Sequence, residues 1–188
     1  MKTFLVSAIA MVALVYQTNG QAPLGPGAVV ISKIEPAAVK TPEFNVTGGP
    51  QKRSKVGTWL EIEVEFETKV EEIAELKFEY MVAIENKLLT GTVSHINIPK
   101  GRDHYSVMYI APRTLEKLTG GKPLTAGSVQ NVWVTVSSAD GVELDKKAAP
   151  KNMAVPNAPR LPGLILNKQE TPFAPLFFDR YEAIKVAR

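Results

Sequence analysis

The chain has 188 residues, 45% of them hydrophobic and 22% charged, which is enough for one globular domain with a core and untypical of a disordered chain. Its 22 basic and 19 acidic residues give a net charge of +3 with both signs interspersed, which excludes the electrostatic footprint of a nucleic-acid-binding protein. The absence of cysteine excludes disulfides, a lipid-attachment cysteine and any zinc site that uses thiolates.

The first twenty residues have the pattern of a secretory signal. Lys2 precedes an apolar stretch, residues 4–15, that is shorter than the ~20 residues needed to span a bilayer. Small and polar residues follow as far as Gly20, so we predict cleavage before Gln21. The mature protein is then expected in the periplasm, at the outer membrane or outside the cell, and an uncleaved signal would be its only contact with a membrane.

Alternating side chains predict β-strands along the mature chain. In residues 59–67 a glutamate at every second position alternates with Leu60, Ile62, Val64 and Phe66. A period of two places all carboxylates on one face and all apolar groups on the other, as in a half-buried antiparallel strand. Further strands are predicted at residues 28–31, 43–47, 76–84, 88–98, 104–110, 129–138 and 142–146.

Turn and helix signals separate these strands. Residues 99–103 have the composition of a turn, and Asp140-Gly141 is typical of a hairpin. Residues 112–118 predict a short helix, with proline in its first turn and glycines after its end. About eight short strands and one short helix predict the all-β class, as an immunoglobulin-like antiparallel β-sandwich over residues 21–149.

A proline-rich C-terminal arm follows over residues 150–188. Its prolines favour an extended path outside a sheet. Phe177, Tyr181 and Ile184 have the spacing of one stripe of a short amphipathic helix. The arm either folds onto its own sandwich as a clamp or is presented outward to a partner. In the second case the contact residues would be Phe177, Phe178, Tyr181 and Ile184.

The two histidines, His95 and His104, are a conceivable pair of metal ligands, although we interpret them as polar sheet residues. The glutamate ladder at positions 61, 63, 65 and 67 could bind a cation or a basic partner. However, alternate strand residues lie about 6.8 Å apart, too far for four carboxylates to share one ion. We therefore expect a solvated face paired with lysines such as Lys69 and Lys77, and we predict no metal and no cofactor.

Aromatic residues on several strands could form a carbohydrate-stacking platform, but scattered aromatics are more typical of a core. The residues concerned are Trp59, Tyr80, Tyr105, Tyr109 and Trp133. No serine, histidine and aspartate set has the context of an activated nucleophile, and no carboxylate pair is singled out. We therefore predict no catalytic residues and no enzymatic activity.

The layout resembles the small pilus-like proteins of verrucomicrobial bacteria, typified by one from Akkermansia that is encoded in a type IV pilus-like gene cluster. The resemblance covers the signal followed by QAPLGPGAVVISKIEP, the strand WLEIEVEFET and the tail FAPLFFDRYEAIK. It implies an immunoglobulin-like fold, an extracytoplasmic location and protein partners in a pilus-like or cell-surface assembly, including possible self-association. It implies no catalysis. A carbohydrate- or host-surface-binding module is the alternative.

Overall fold

A computed structural model describes residues 24–44, 48, 55–122 and 128–186. Within them the chain forms seven β-strands and one α-helix. The strands are β1 (Val29–Lys40), β2 (Thr58–Ile84), β3 (Lys87–Ile110), β4 (Val129–Ser138), β5 (Glu143–Ala149), β6 (Arg160–Pro162) and β7 (Ile165–Asn167), and the helix is α1 (Pro112–Thr119). Every strand pair is antiparallel except β3 with β6. The predicted all-β sandwich with one short helix is confirmed, and its immunoglobulin-like topology stays a prediction.

The strands β2 and β3 run through both layers of the sandwich. The first half of β2 pairs with β1 and with the end of β3, which also pairs with β7; we call this the first layer. The second half of β2 pairs with β4 and with the start of β3, and β5 and β6 complete this second layer. The register of β2 against β3 slips between Phe66 and Glu72, so the strand bends there from one layer into the other.

These long strands correct the prediction of separate short ones. Residues 59–67 and 76–84 are the two halves of β2, and residues 88–98 and 104–110 are the two halves of β3. The predicted turn at 99–103 is wrong, because this stretch is part of β3. Asp103, at the end of this stretch, and Asn97, just before it, have left-handed φ angles of 61° and 57°. Residues with turn chemistry therefore bend the strand and do not reverse the chain.

Other local predictions are confirmed. The strand predicted at 129–138 is β4, and α1 begins at Pro112 and ends before Gly120, whose φ of 64° closes the helix. The return strand after Asp140-Gly141 is β5. The strand predicted at 43–47 does not form at Glu43 and Phe44, and its other residues lie outside the described part, as does the predicted signal.

The two layers enclose one apolar core, built largely by the alternation in β2. The side chains of Leu60, Ile62, Val64 and Phe66 point inward from the first layer, and Phe78 does so from the second. The rings of Phe66 and Phe78 meet at the bend, with their centroids 4.9 Å apart. Burying such a side chain stabilises a fold by about 1.5–3 kcal/mol, so this cysteine-free chain depends on its core. In the described residues no helix has the length and apolarity to cross a membrane.

Candidate interaction site on the C-terminal arm

Residues 150–159 of the arm cross the outer face of the second layer as a strap. The indole Nε1 of Trp133 donates a hydrogen bond to the main-chain oxygen of Met153 at 2.6 Å. The side-chain amide of Asn131 pairs with both main-chain groups of Lys151, at 2.9 and 3.1 Å. Apolar residues of the strap also pack against the patch around Trp133. These contacts fix the strap to the sandwich.

The remainder of the arm covers the outer edge of β3. Strand β6 pairs with residues 88–90 and β7 pairs with residues 108–110. Between them, Ile184 forms an antiparallel bridge with His95, and main-chain hydrogen bonds of 2.8–3.1 Å join the neighbouring residues. The expectation that the proline-rich run lies outside the sheet is therefore wrong at β6. Of the two alternatives left open by the sequence, the folded arm is the one observed.

The predicted C-terminal helix is wrong. Residues 171–181 form successive turns and bends, and the four predicted contact residues separate into two pairs. Tyr181 and Ile184 pack against the sandwich, whereas Phe177 and Phe178 are 61% and 86% exposed. An isolated helix of this length is marginal, and the main chain finds stronger partners on β3.

Phe173 holds the arm against the outer face of the first layer. Its ring stacks on Tyr109 with centroids 4.6 Å apart and meets Trp59 edge-on at 5.6 Å. The five aromatic residues considered as a carbohydrate platform are buried or half-buried, and Trp59 and Tyr109 are the two that share a hydrophobic cluster: Trp59, Tyr80, Tyr105, Tyr109 and Trp133. They do not form an exposed row, so no observation favours the carbohydrate-binding alternative.

Glu63 is the main polar anchor of the arm. Its carboxylate accepts hydrogen bonds from the Arg180 guanidinium at 2.6 and 3.1 Å and from the Tyr181 hydroxyl at 2.7 Å. Arg180 also lies 3.8 Å from the ring centroid of Tyr105. Burial alone would raise the pKa of Glu63, but the hydrogen bonds from Arg180 and Tyr181 outweigh it and lower that pKa. The carboxylate is therefore ionised and bound to the arm at neutral pH.

The other ladder glutamates have different surroundings. Glu61 accepts a hydrogen bond from the Tyr109 hydroxyl at 2.9 Å, and burial raises the pKa of Glu61 despite that bond. Glu67, which lies within 4 Å of Lys69 and Arg102, resembles the solvated pairing that we expected, and Glu65 lies opposite Lys33 of β1. The expected pairing with Lys77 is not among the ion pairs of the described residues. One of the four ladder glutamates, Glu63, thus binds the arm of its own chain.

His95 lies inside the sandwich in a chain of polar groups. Its Nδ1 is 3.1 Å from the main-chain oxygen of Glu182, and its Nε2 is 2.7 Å from Ser106 Oγ. Ser106 Oγ accepts a hydrogen bond from the Tyr80 hydroxyl, also at 2.7 Å. The carbonyl can only accept, so we assign the Nδ1–H tautomer. Burial lowers the pKa of His95 to about 4, which makes the neutral ring the form present at pH 7.

The second histidine is joined to the same arm residue. His104 Nδ1 lies 2.7 Å from the Glu182 carboxylate, and the ring stacks on Phe66 at 5.3 Å. Both histidines lie in β3, in agreement with our interpretation of them as polar sheet residues, and both are buried on the inward face. The described residues contain no group of three or more histidine, aspartate or glutamate side chains placed to bind a metal ion.

Replacing Glu63 with glutamine should weaken the attachment of the arm to the first layer. We expect a loss of about 1–3 kcal/mol in the free energy of unfolding, because the neutral amide has no charge opposite Arg180 and keeps only one of the two acceptor oxygens that bind Arg180 and Tyr181. Urea denaturation would measure it. The matched control is Glu65→Gln on the same face of β2, which should change stability by no more than about 0.5 kcal/mol. Equal losses in the two variants would contradict the anchoring role.

Sequence reasoning missed the residues that position the exposed loop. Arg180 lies 117 residues from its partner Glu63, and Glu182 lies 78 residues from its partner His104, and charge pattern alone does not indicate these pairings. For His95 and His104, the alternation of residues along β3 could have indicated burial. Counting alternate residues places His95 in the inward row with Val93, and His104 in the inward row with Ser106.

Comparisons with known proteins agree with this architecture. A protein-family model matches residues 20–188. Among solved structures, the crystal structure of a protein from Akkermansia muciniphila matches with a TM-score of 0.71 and 22% sequence identity, covering 85% of this chain and 94% of that chain. At this identity the match shows a shared fold. No curated protein matches the chain. The matched family is not an enzyme family. Because the family model covers nearly the whole sequence, the chain belongs to the family that this model defines.

Proposed function

We propose that the protein is an exported, non-enzymatic structural or interaction component of a pilus-like or other cell-surface assembly, and that it works by protein–protein contact. The observation that carries this proposal is the loop Phe177-Phe178-Asp179, which we call the diphenylalanine loop. It presents two exposed phenyl rings on a well-anchored part of the fold. Export is inferred from the signal-like residues 1–20, and the assembly from the family resemblance.

The diphenylalanine loop is held at both ends. Phe173 is buried between aromatic rings before it, and Arg180 is bound to Glu63 after it. Phe177 has a left-handed φ of 50°, and its main-chain oxygen accepts a hydrogen bond from Arg180 N at 3.2 Å. A bulky residue in this conformation is strained, which is typical of functional segments.

Rigid exposed aromatics are well suited to binding a protein. Phenylalanine supplies a large apolar contact area, and a loop already fixed in its bound shape loses little conformational entropy on binding. Phe177 and Phe178 are the predicted contact residues that remain available in the folded chain. Tyr181 and Ile184 follow the loop and pack against the sandwich.

A photo-crosslinking experiment tests this function. A photoreactive phenylalanine analogue is placed at position 178 of the full chain in cells that express it naturally, and envelope adducts are separated by size and identified by mass spectrometry. We expect discrete protein adducts. The matched control is position 44, because Phe44 is 49% exposed and lies outside the arm. Absence of adducts at 178, or the same adducts at both positions, would contradict the proposal.

A further inference from the structure

An apolar groove lies beside the strap on the outer face of the second layer. It has a volume of about 490 Å³, within the usual range for pockets that bind a small apolar group. Strands β2, β3 and β4 supply its floor and the strap supplies one wall. Its apolar lining includes Ala83, Leu88, Trp133, Met153 and Pro156. We call it the Trp133 groove.

The Trp133 groove is bordered by positive charge. Lys87 and Lys151 line it and are exposed, and neither forms an ion pair within the described residues. Its other polar lining residues are the neutral Asn86, Gln130 and Asn131. The groove therefore suits an apolar group followed by a carboxylate.

A neighbouring groove of about 400 Å³, on the other side of Met153, is less suitable. Its lysines are already engaged. Lys146 pairs with Glu143 at 2.9 Å, and the Lys147 ammonium donates to the main-chain oxygen of Ser32 at 2.6 Å. This difference favours the Trp133 groove as the site for an anionic partner.

The diphenylalanine loop has the chemistry that the Trp133 groove would recognise. Phe178 is 86% exposed, and the next residue, Asp179, is exposed and forms no ion pair within the described residues. The loop is anchored on the first layer through Glu63, whereas the groove lies on the outer face of the second layer. The complementary surfaces therefore belong to opposite faces of one molecule.

We propose that the diphenylalanine loop of one copy binds the Trp133 groove of a second copy, with Phe178 in the groove and Asp179 beside Lys87 and Lys151. This inference rests on the proposed function and names the partner as the chain itself. Because the two surfaces differ, a pair of copies keeps one unused groove on the first copy and one unused loop on the second. Such a heterologous contact produces rings or open chains. A contact this small is weak by itself, so it operates at high local concentration.

Sedimentation equilibrium of the purified protein over a concentration series tests the contact. Wild type should associate reversibly, and Phe178→Ala should weaken association at least about tenfold, because the buried phenyl ring is lost. The matched control Phe44→Ala should associate like wild type. A wild type that stays monomeric up to about 1 mM, or equal effects of the two substitutions, would overturn the inference.

Charge exchange tests the register of the contact. Asp179→Lys alone and the double variant Lys87→Glu/Lys151→Glu alone should each associate poorly, because like charges then meet. An equimolar mixture should associate again, since each loop finds a groove of opposite charge on the other variant. The double control Lys55→Glu/Lys122→Glu, which reverses exposed lysines elsewhere, should not change association. A mixture that stays monomeric would overturn the assignment.

Together, the crosslinking and association experiments distinguish a failure of the self-association inference from a failure of the proposed function on which it rests. If position 178 crosslinks to a different envelope protein and the wild type is monomeric in solution, the self-association inference is wrong. The proposed function is then still supported. No adduct at position 178 in cells would remove the proposed function itself. Adducts at multiples of the chain mass, together with restored association in the mixture, would support both.

Discussion

Acidification from pH 7 to pH 4 is expected to lower the free energy of unfolding by roughly 3 kcal/mol through His95 alone. Its pKa in the folded protein is about 4, below the ordinary value of 6.5, and the main cause is burial. The folded state therefore favours the neutral ring. This contribution is complete above about pH 6.5 and is lost as the pH falls through about 4.

The contact with Ser106 adds to burial in opposing a second proton on His95. A proton on Nε2 would point at Ser106 Oγ, which already accepts from the Tyr80 hydroxyl. Ser106 Oγ would then accept two hydrogen bonds, and its own hydroxyl hydrogen would have no acceptor. An unpaired buried donor is costly, so the hydrogen bonds through Ser106 favour the neutral ring.

The measurement compares wild type with His95→Gln by urea denaturation at several pH values. The difference in free energy of unfolding between them isolates this residue from other titrating groups. That difference should be largest near pH 7 and should shrink by roughly 3 kcal/mol at pH 4. A difference independent of pH would contradict the assignment of a buried neutral imidazole.

Phe173→Ala is expected to cost about 3–5 kcal/mol, the usual range for removing a fully packed phenyl ring. Phe173 is buried, stacks on Tyr109 and meets Trp59 edge-on. Its loss leaves a cavity where the arm joins the first layer. We expect residues 173–185 to detach before the strands unfold, which hydrogen exchange would detect as early loss of protection in this segment.

Phe178→Ala is the matched control for Phe173→Ala. It removes the same ring from a neighbouring position on the same arm, but from an exposed site. Its effect on stability should stay within about 0.5 kcal/mol, with unchanged hydrogen exchange in β4 and in the arm. Similar destabilisation by the two variants would mean that the diphenylalanine loop is part of the packed core.

The sequence predicted the strands well where burial alternates regularly. In β2 the inward row from Leu60 to Phe66 and the outward glutamates follow from a period of two. The continuity of β2 and β3 was not predictable in the same way, because Gly101 and Asp103 carry the chemistry of a turn. Pairing with the neighbouring half-strands, which is a tertiary effect, keeps these residues within one bent strand.

The arm shows the limit of local patterns. The spacing of Phe177, Tyr181 and Ile184 matches a helix, yet the backbone bonds to Tyr105 and Ser94 of β3. A strand edge offers unpaired main-chain groups that no sequence pattern of the arm itself reveals. The exposure of Phe177 and Phe178 follows from where that edge and Glu63 hold the arm, and so required the structure.

Both buried imidazoles receive a partner from Glu182, a residue that follows every strand in the order of synthesis. A nascent chain can pair its strands before this residue has been added, but its interior then keeps ring nitrogens without an acceptor. A product clipped between β7 and Glu182 has the same defect. The hydrogen bonds of both buried imidazoles are therefore complete only when the arm is intact, which gives proteases a physical basis for discriminating whole molecules from truncated ones.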